Sequence, residues 1–200
     1  MAASLDFWFE FASTYSYLSV LRIEDDARKS GVAVRWRPFL LGPIFAAQGW
    51  STSPFNIYEV KGRYMVRDIE RSAAARGLRF TLPKPFPQHS LMAARVCLTV
   101  PDAGARARFV REVMMAQFAE GQQINDAGVL SACLTRTGLQ PEMHLQTAQS
   151  EAIKSELKSN TDEARALGVF GAPSFVTADR ELFWGDDRLD AALAWAKRAA

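Results

Sequence analysis

Apolar and polar positions along this chain follow two different periods. Leu5 to Phe11 is an apolar, aromatic run of strand length, broken only by Asp6 and Glu10. Residues 14–29 then carry Tyr17, Val20 and Leu21 on one helical face. Val32, Val34 and Trp36 alternate with Ala33, Arg35 and Arg37, which predicts a second strand that Pro38 ends. The opening segment therefore predicts a βαβ unit with parallel strands. From Pro43 to Pro54 the pattern is loop-like, with Gly42, Gly49, Ser51 and Ser53. From about Glu59 to Glu156 nearly every segment has helical period, and Pro and Gly clusters divide it into four or five helices.

Strand patterns return near the end. Asn160 with Glu163 predicts a capping pair that opens a helix to Leu167, and Gly168 suits the position after its end. Ser174–Thr177 and Leu182–Trp184 flank the turn residues Ala178-Asp179-Arg180 and read as a hairpin. Gly185-Asp186-Asp187 opens a last helix with Leu189, Ala192, Leu193 and Ala196 on one face. This order predicts an α/β chain: a four-stranded mixed sheet interrupted by a large all-helical insertion. Residues 1–42 and 160–200 form the sheet domain, and residues 43–159 form the insertion.

Composition narrows the function classes. A net charge of +2, with basic residues spread out, gives no electrostatic footprint for nucleic acid. No window is apolar enough to span a membrane. Met1-Ala2-Ala3-Ser4 lacks the charged start of a leader, so a cytoplasmic protein is expected. Cys97 and Cys133 lie far apart in apolar helical pattern and read as buried free thiols. Two His and two Cys without ligand spacing predict no metal site.

The junction of strand one and the first helix carries the candidate chemistry. Ser13 and Ser16 stand three apart at the helix start, the slot in which a Cys-x-x-Cys pair would sit. Ser13 reads as an N-cap, and the end of a helix where backbone N–H groups converge also favours negative charge. With no thiol at either position, disulfide exchange is excluded, and handling of an anion or a borrowed thiolate is left.

Four stretches together resemble a known family. They are Asp6–Leu18, Asn56 with Lys61-Gly62-Arg63-Tyr64-Met65, Gly168–Pro173, and Trp184–Leu189. In this order they resemble a thioredoxin-like fold with a helical insertion, shared by DsbA-type oxidoreductases and kappa-class glutathione transferases. Within that group they most resemble the glutathione-dependent 2-hydroxychromene-2-carboxylate isomerases. Thr14 stands where that family usually has Pro, and residues 38–60 contain no Lys or Arg.

The resemblance implies glutathione as cofactor, a small aromatic carboxylate as substrate, and a homodimer. Ser13 becomes the hydrogen-bond partner of the glutathione thiolate. Ala172 and Pro173 are joined by a cis bond facing Ser13, and Ala172 offers its backbone to the cysteinyl residue. Trp184, Gly185, Asp186 and Asp187 receive the γ-glutamyl end, with an Asp accepting from its α-amino group. Asn56 and Lys61 complete the cofactor contacts, while Tyr15, Asn56, Ile57 and Phe86 border the substrate. The alternatives are a kappa-like glutathione transferase or peroxidase, and a redox-inactive DsbA-like binding protein.

Overall fold

The computed structural model describes residues 3–199; Met1 and Ala2, read above for a leader, lie outside it. Strand β1 (Ser4–Phe9) is the central strand of a sheet ordered β2-β1-β3-β4, with β2 at Ala33–Pro38, β3 at Ser174–Thr177 and β4 at Leu182–Trp184. β1 runs parallel to β2 and antiparallel to β3, and β4 pairs antiparallel with β3. Being covered on both faces explains why β1 reads as continuous apolar sequence instead of alternating.

The alternation reappears in what each face touches. Phe7 stacks on Phe9 (centroids 5.2 Å) and on Phe175 (5.4 Å), its register partner in β3, and meets Trp36 edge-on at 5.1 Å. These rings belong to the large core shared with the helical block. Trp8 points the other way, into a smaller core with Phe39, Ile44, Ala164, Val169 and Val176. One chain segment thus anchors two layers, as period-two geometry requires.

Helix α1 (Thr14–Val20) leaves β1, and α2 (Ile23–Ser30) follows it. The sequence predicts one helix over 14–29; the break at Leu21–Arg22 falls where Arg22 turns its guanidinium to Asp26, Asp186 and Asp190. The stretch read as a loop from Pro43 contains α3 (Leu41–Ala47) and α4 (Pro54–Ile57). Gly42 and Pro43 sit in the first turn of α3, where Pro is tolerated because its missing N–H has no intrahelical partner to lose.

The helical block comprises α5 (Glu59–Ala75), α6 (Leu91–Leu98), α7 (Ala103–Phe118), α8 (Ala127–Arg136), α9 (Pro141–Thr147) and α10 (Glu151–Ala166). Helix α10 corrects the expectation of a helix opening at Asn160. It starts at its cap Ser150 and runs unbroken across the 159/160 boundary. Asn160 is buried in mid-helix, where its amide donates to the Pro38 carbonyl at 3.2 Å. A single-turn 3₁₀ segment, Asp186–Arg188, leads into α11 (Leu189–Arg198), whose Leu189, Ala192, Leu193 and Ala196 are all buried. Among the described residues no helix is long and apolar enough to cross a membrane.

Cys97 and Cys133 are both fully buried and unpaired. Burial pushes the Cys97 thiol up to about 12 and the Cys133 thiol up to about 11. Because the thiolate is the reactive form, neither should be labelled by a thiol reagent at neutral pH in the folded protein. Both should react once the chain is unfolded, and mass spectrometry before and after denaturant checks this.

Candidate active site

The site forms where the β1–α1 turn meets the loop that enters β3. Ser13 is the N-cap of α1: its Oγ accepts from the Ser16 N–H at 3.1 Å. The same hydroxyl donates its proton to the Ala172 carbonyl at 2.9 Å, across 159 residues of sequence. The Ala172–Pro173 bond is cis. The N–H groups of Thr14 and Tyr15, beside this hydroxyl, meet no acceptor among the described residues, as expected of a first helical turn.

From Pro173 the contacts run on to the end of β4. The Pro173 carbonyl accepts from the Gly185 N–H at 2.9 Å. Gly185 has φ +108°, ψ +148°, a backbone region open essentially to glycine alone. Trp184 is half exposed and packs on the equally exposed Phe170 at 4.8 Å between centroids. Gly171 lies against the indole edge, so closely that a Cβ there would collide with Trp184 Nε1. The substitution Gly171→Ala should therefore displace the indole and cost about 1–3 kcal/mol, the usual range for overpacking. Tryptophan fluorescence and thermal unfolding of the variant would report both effects.

Ser13, Ala172, Pro173, Trp184 and Gly185 thus form one connected chain of contacts, in which Pro173 is buried and Trp184 is exposed. Asp187 is next to it and exposed, and among the described residues it pairs with Arg188 alone, at 3.3 Å. Asp186 corrects the expectation that either Asp could face a ligand's amino group. It is 5% exposed, its carboxylate accepts from Ser19 Oγ at 2.8 Å and pairs with Arg76 and with Arg22 Nε at 3.5 Å. Its charge is spent inside the fold, joining the 3₁₀ turn to α1, α2 and α5.

The other residues sit on a separate wall. Asn56 is exposed at the end of α4 and donates to Thr52 Oγ1 at 3.0 Å. Ile57 and Lys61 are exposed on α4 and α5. Among the described residues no hydrogen bond or ion pair joins Asn56, Ile57 or Lys61 to Ser13. The link to that wall is Tyr15, in the first turn of α1, whose hydroxyl donates to Asp68 on α5 at 2.7 Å. Burial and the Asp68 carboxylate push the Tyr15 phenol up, so it stays protonated and keeps donating. The sequence reading missed Asp68, since the bond spans 53 residues and nothing local marks it. Phe86 is half buried against the large core, between two cis X-Pro bonds.

Other polar and aromatic groups lie away from Ser13. Phe11 is fully buried and packs edge-on against Phe9 at 5.3 Å. His144 is buried, with Nδ1 2.7 Å from the Thr99 hydroxyl, and belongs to the α6–α9 contact. Hollows of about 370 and 260 Å³ lie between α2 and α11 and beside β2; Ser13 lines neither. Among the described residues no cluster of His, Cys, Asp or Glu could hold a metal ion.

The sequence and the fold match known proteins. The DSBA-like thioredoxin domain matches residues 4–194. The chain belongs to that family. A 2-hydroxychromene-2-carboxylate isomerase of Sphingobium xenophagum is 30% identical over 191 residues, covering 95% of this chain and 96% of that one. A kappa 2 glutathione S-transferase of Caenorhabditis elegans is 26% identical over 199 residues, covering 92% and 87%. A solved structure of a 2-hydroxychromene-2-carboxylate isomerase superposes with a TM-score of 0.88 at 24% identity, over 98% of this chain and 95% of that one. The relatives so named are enzymes, and the DsbA-like fold is shared with the solved isomerase.

Proposed function

We propose that this protein is a glutathione-dependent isomerase that interconverts 2-hydroxychromene-2-carboxylate, or a related aromatic compound, and trans-o-hydroxybenzylidenepyruvate, in the degradation of aromatic hydrocarbons. The observation that carries this reading is the Ser13 hydroxyl set against the Ala172 carbonyl at the cis Pro173 loop. Similarity along the whole length to isomerases of that name supports the reaction class, and the kappa-class relatives support the cofactor.

Whether these residues suit glutathione can be asked of the hydroxyl itself. Ser13 has one proton and two lone pairs. One lone pair serves the Ser16 N–H and the proton serves Ala172. Rotating the O–H toward an incoming sulfur frees the Ala172 carbonyl, which then accepts from the cysteinyl N–H. The two bonds exchange without leaving a buried group unpaired. The γ-glutamyl end would lie toward Gly185 and Asp187, with Asp187 accepting from the amino group. Asn56 and Lys61 would approach from the α4–α5 wall.

Bound glutathione supplies a thiolate that adds reversibly to the conjugated double bond, so that rotation occurs about a single bond. The protein's part is to hold that charge. Ser13 donates to it, and the start of α1 lies beside it. Tyr15, Ile57 and Phe86 would border the aromatic ring. The proposal includes a homodimer in a reducing cytoplasm, with residues 1–42 and 160–200 as one unit and 43–159 as the insertion, α10 running from the insertion into that unit.

The decisive assay follows the substrate spectrally with glutathione present and then measures total free thiol. Isomerisation with thiol conserved is the expected result. Thiol consumed with an electrophile or hydroperoxide would instead favour the transferase or peroxidase reading, which the kappa-class relatives support. Glutathione that fails to bind in calorimetry would favour the redox-inactive binding protein.

A further inference from the structure

The turn that carries Ser13 rests on a buried carboxyl group. Glu10 is 5% exposed. One of its oxygens accepts from the Ala12 N–H at 3.3 Å, and the other accepts from the Leu41 N–H at 2.9 Å. Its own backbone carbonyl accepts from the Ser13 N–H at 3.0 Å. The groups that face the carboxyl from neighbouring elements are the Ser90 hydroxyl before α6 and the N–H groups of Phe11, Ala12 and Leu41. Among the described residues no cation pairs with it.

A buried carboxyl without a cation is costly, and an apolar side chain could fill the same space. What the carboxyl adds is two acceptors aimed in different directions. Helix α3 has no cap of its own, since Leu40 offers no side-chain acceptor. Glu10 supplies that acceptor from 31 residues away.

We propose that Glu10 is a positioning residue for the thiolate site: its two oxygens clamp the Ser13 turn to the start of α3, so that Ser13 and the 41–50 segment bearing Phe45 and Trp50 keep one separation. The clamp is a property of the fold; its effect on the thiolate rests on the function proposed above. Burial pushes the Glu10 carboxyl up, while the hydrogen bonds it receives from Ser90, Leu41, Ala12 and Phe11 pull it down.

The test uses the full chain, Glu10→Ala, Glu10→Gln, amide hydrogen exchange without ligand, and glutathione titration. In Glu10→Ala the Ala12 and Leu41 amides should exchange about tenfold faster or more, as the loss of a hydrogen bond to an acidic group implies. Amides in α10 should be unchanged, and the glutathione Kd should rise about tenfold. Glu10→Gln keeps one carbonyl acceptor: Leu41, the shorter bond, should stay protected while Ala12 exchanges faster, and the Kd should stay within about threefold of wild type. Unaltered Ala12 and Leu41 exchange in Glu10→Ala would overturn the clamp, as would an unaltered Kd or a Gln variant as impaired as the Ala variant. If Glu10→Ala does not fold, Glu10→Gln decides: both amides unchanged, or both released, refutes the clamp. If wild type does not bind glutathione, the proposed function falls and exchange alone judges Glu10.

Discussion

Replacing Ser13 with alanine should lower isomerase turnover at neutral pH by about 10- to 100-fold, because losing a hydrogen bond to a charged group, worth about 1.5–3 kcal/mol, leaves less of the bound thiol as thiolate. The loss of fold stability should be smaller. The substitution removes the cap bond to the Ser16 N–H and the bond to Ala172, and losing a cap of this kind costs about 1 kcal/mol. This mismatch between a large kinetic effect and a small thermal one separates a thiolate partner from a mere helix cap. Ser13→Thr should recover part of the turnover, because it retains a hydroxyl. Steady-state rates with saturating glutathione, set beside melting curves of both variants, check the pair of expectations.

Asp186→Ala should have the opposite balance. It should destabilise the protein by about 3 kcal/mol, the lower end of what removing one partner of a buried ion pair costs, because Arg22 and Arg76 retain some contact with water. The carboxylate is the meeting point of Ser19 on α1, Arg22 before α2 and Arg76 after α5. Its removal leaves Arg76 without this carboxylate and Arg22 with Asp26 and Asp190 alone. Asp186→Asn should be milder, since its amide oxygen still accepts from Ser19. Denaturant unfolding would measure both. Glutathione affinity should fall only as far as the Gly185 turn loosens, whereas Asp187→Ala should weaken glutathione binding at nearly unchanged stability. Equal stability of Asp186→Ala and wild type would show that the buried ion cluster does not hold these elements together.

The strands and the last helix were readable because period-two and period-3.6 patterns reflect burial directly: Phe7 and Trp8 face different cores, and Leu189, Ala192, Leu193 and Ala196 face the same one. What escaped the sequence depends on partners far along the chain. Helix α3 looked like a loop because its N-terminal acceptor is Glu10. Asn160 looked like a cap because a polar residue in mid-helix usually needs a local reason; here the reason is the Pro38 carbonyl. Asp186 and Asp187 were indistinguishable side by side in sequence, yet one is buried among Arg22, Arg76 and Ser19 and the other is exposed. The juxtaposition of Ser13 with Ala172–Pro173 came from resemblance alone, since no local pattern links residues 159 apart.

The most direct measurement is a crystal structure of the protein soaked with reduced glutathione. The sulfur should lie within hydrogen-bond reach of Ser13 Oγ, with the cysteinyl N–H on the Ala172 carbonyl in place of the serine hydroxyl. Glutathione bound elsewhere, or a Ser13 hydroxyl still donating to Ala172 with no sulfur beside it, would contradict the proposed thiolate site.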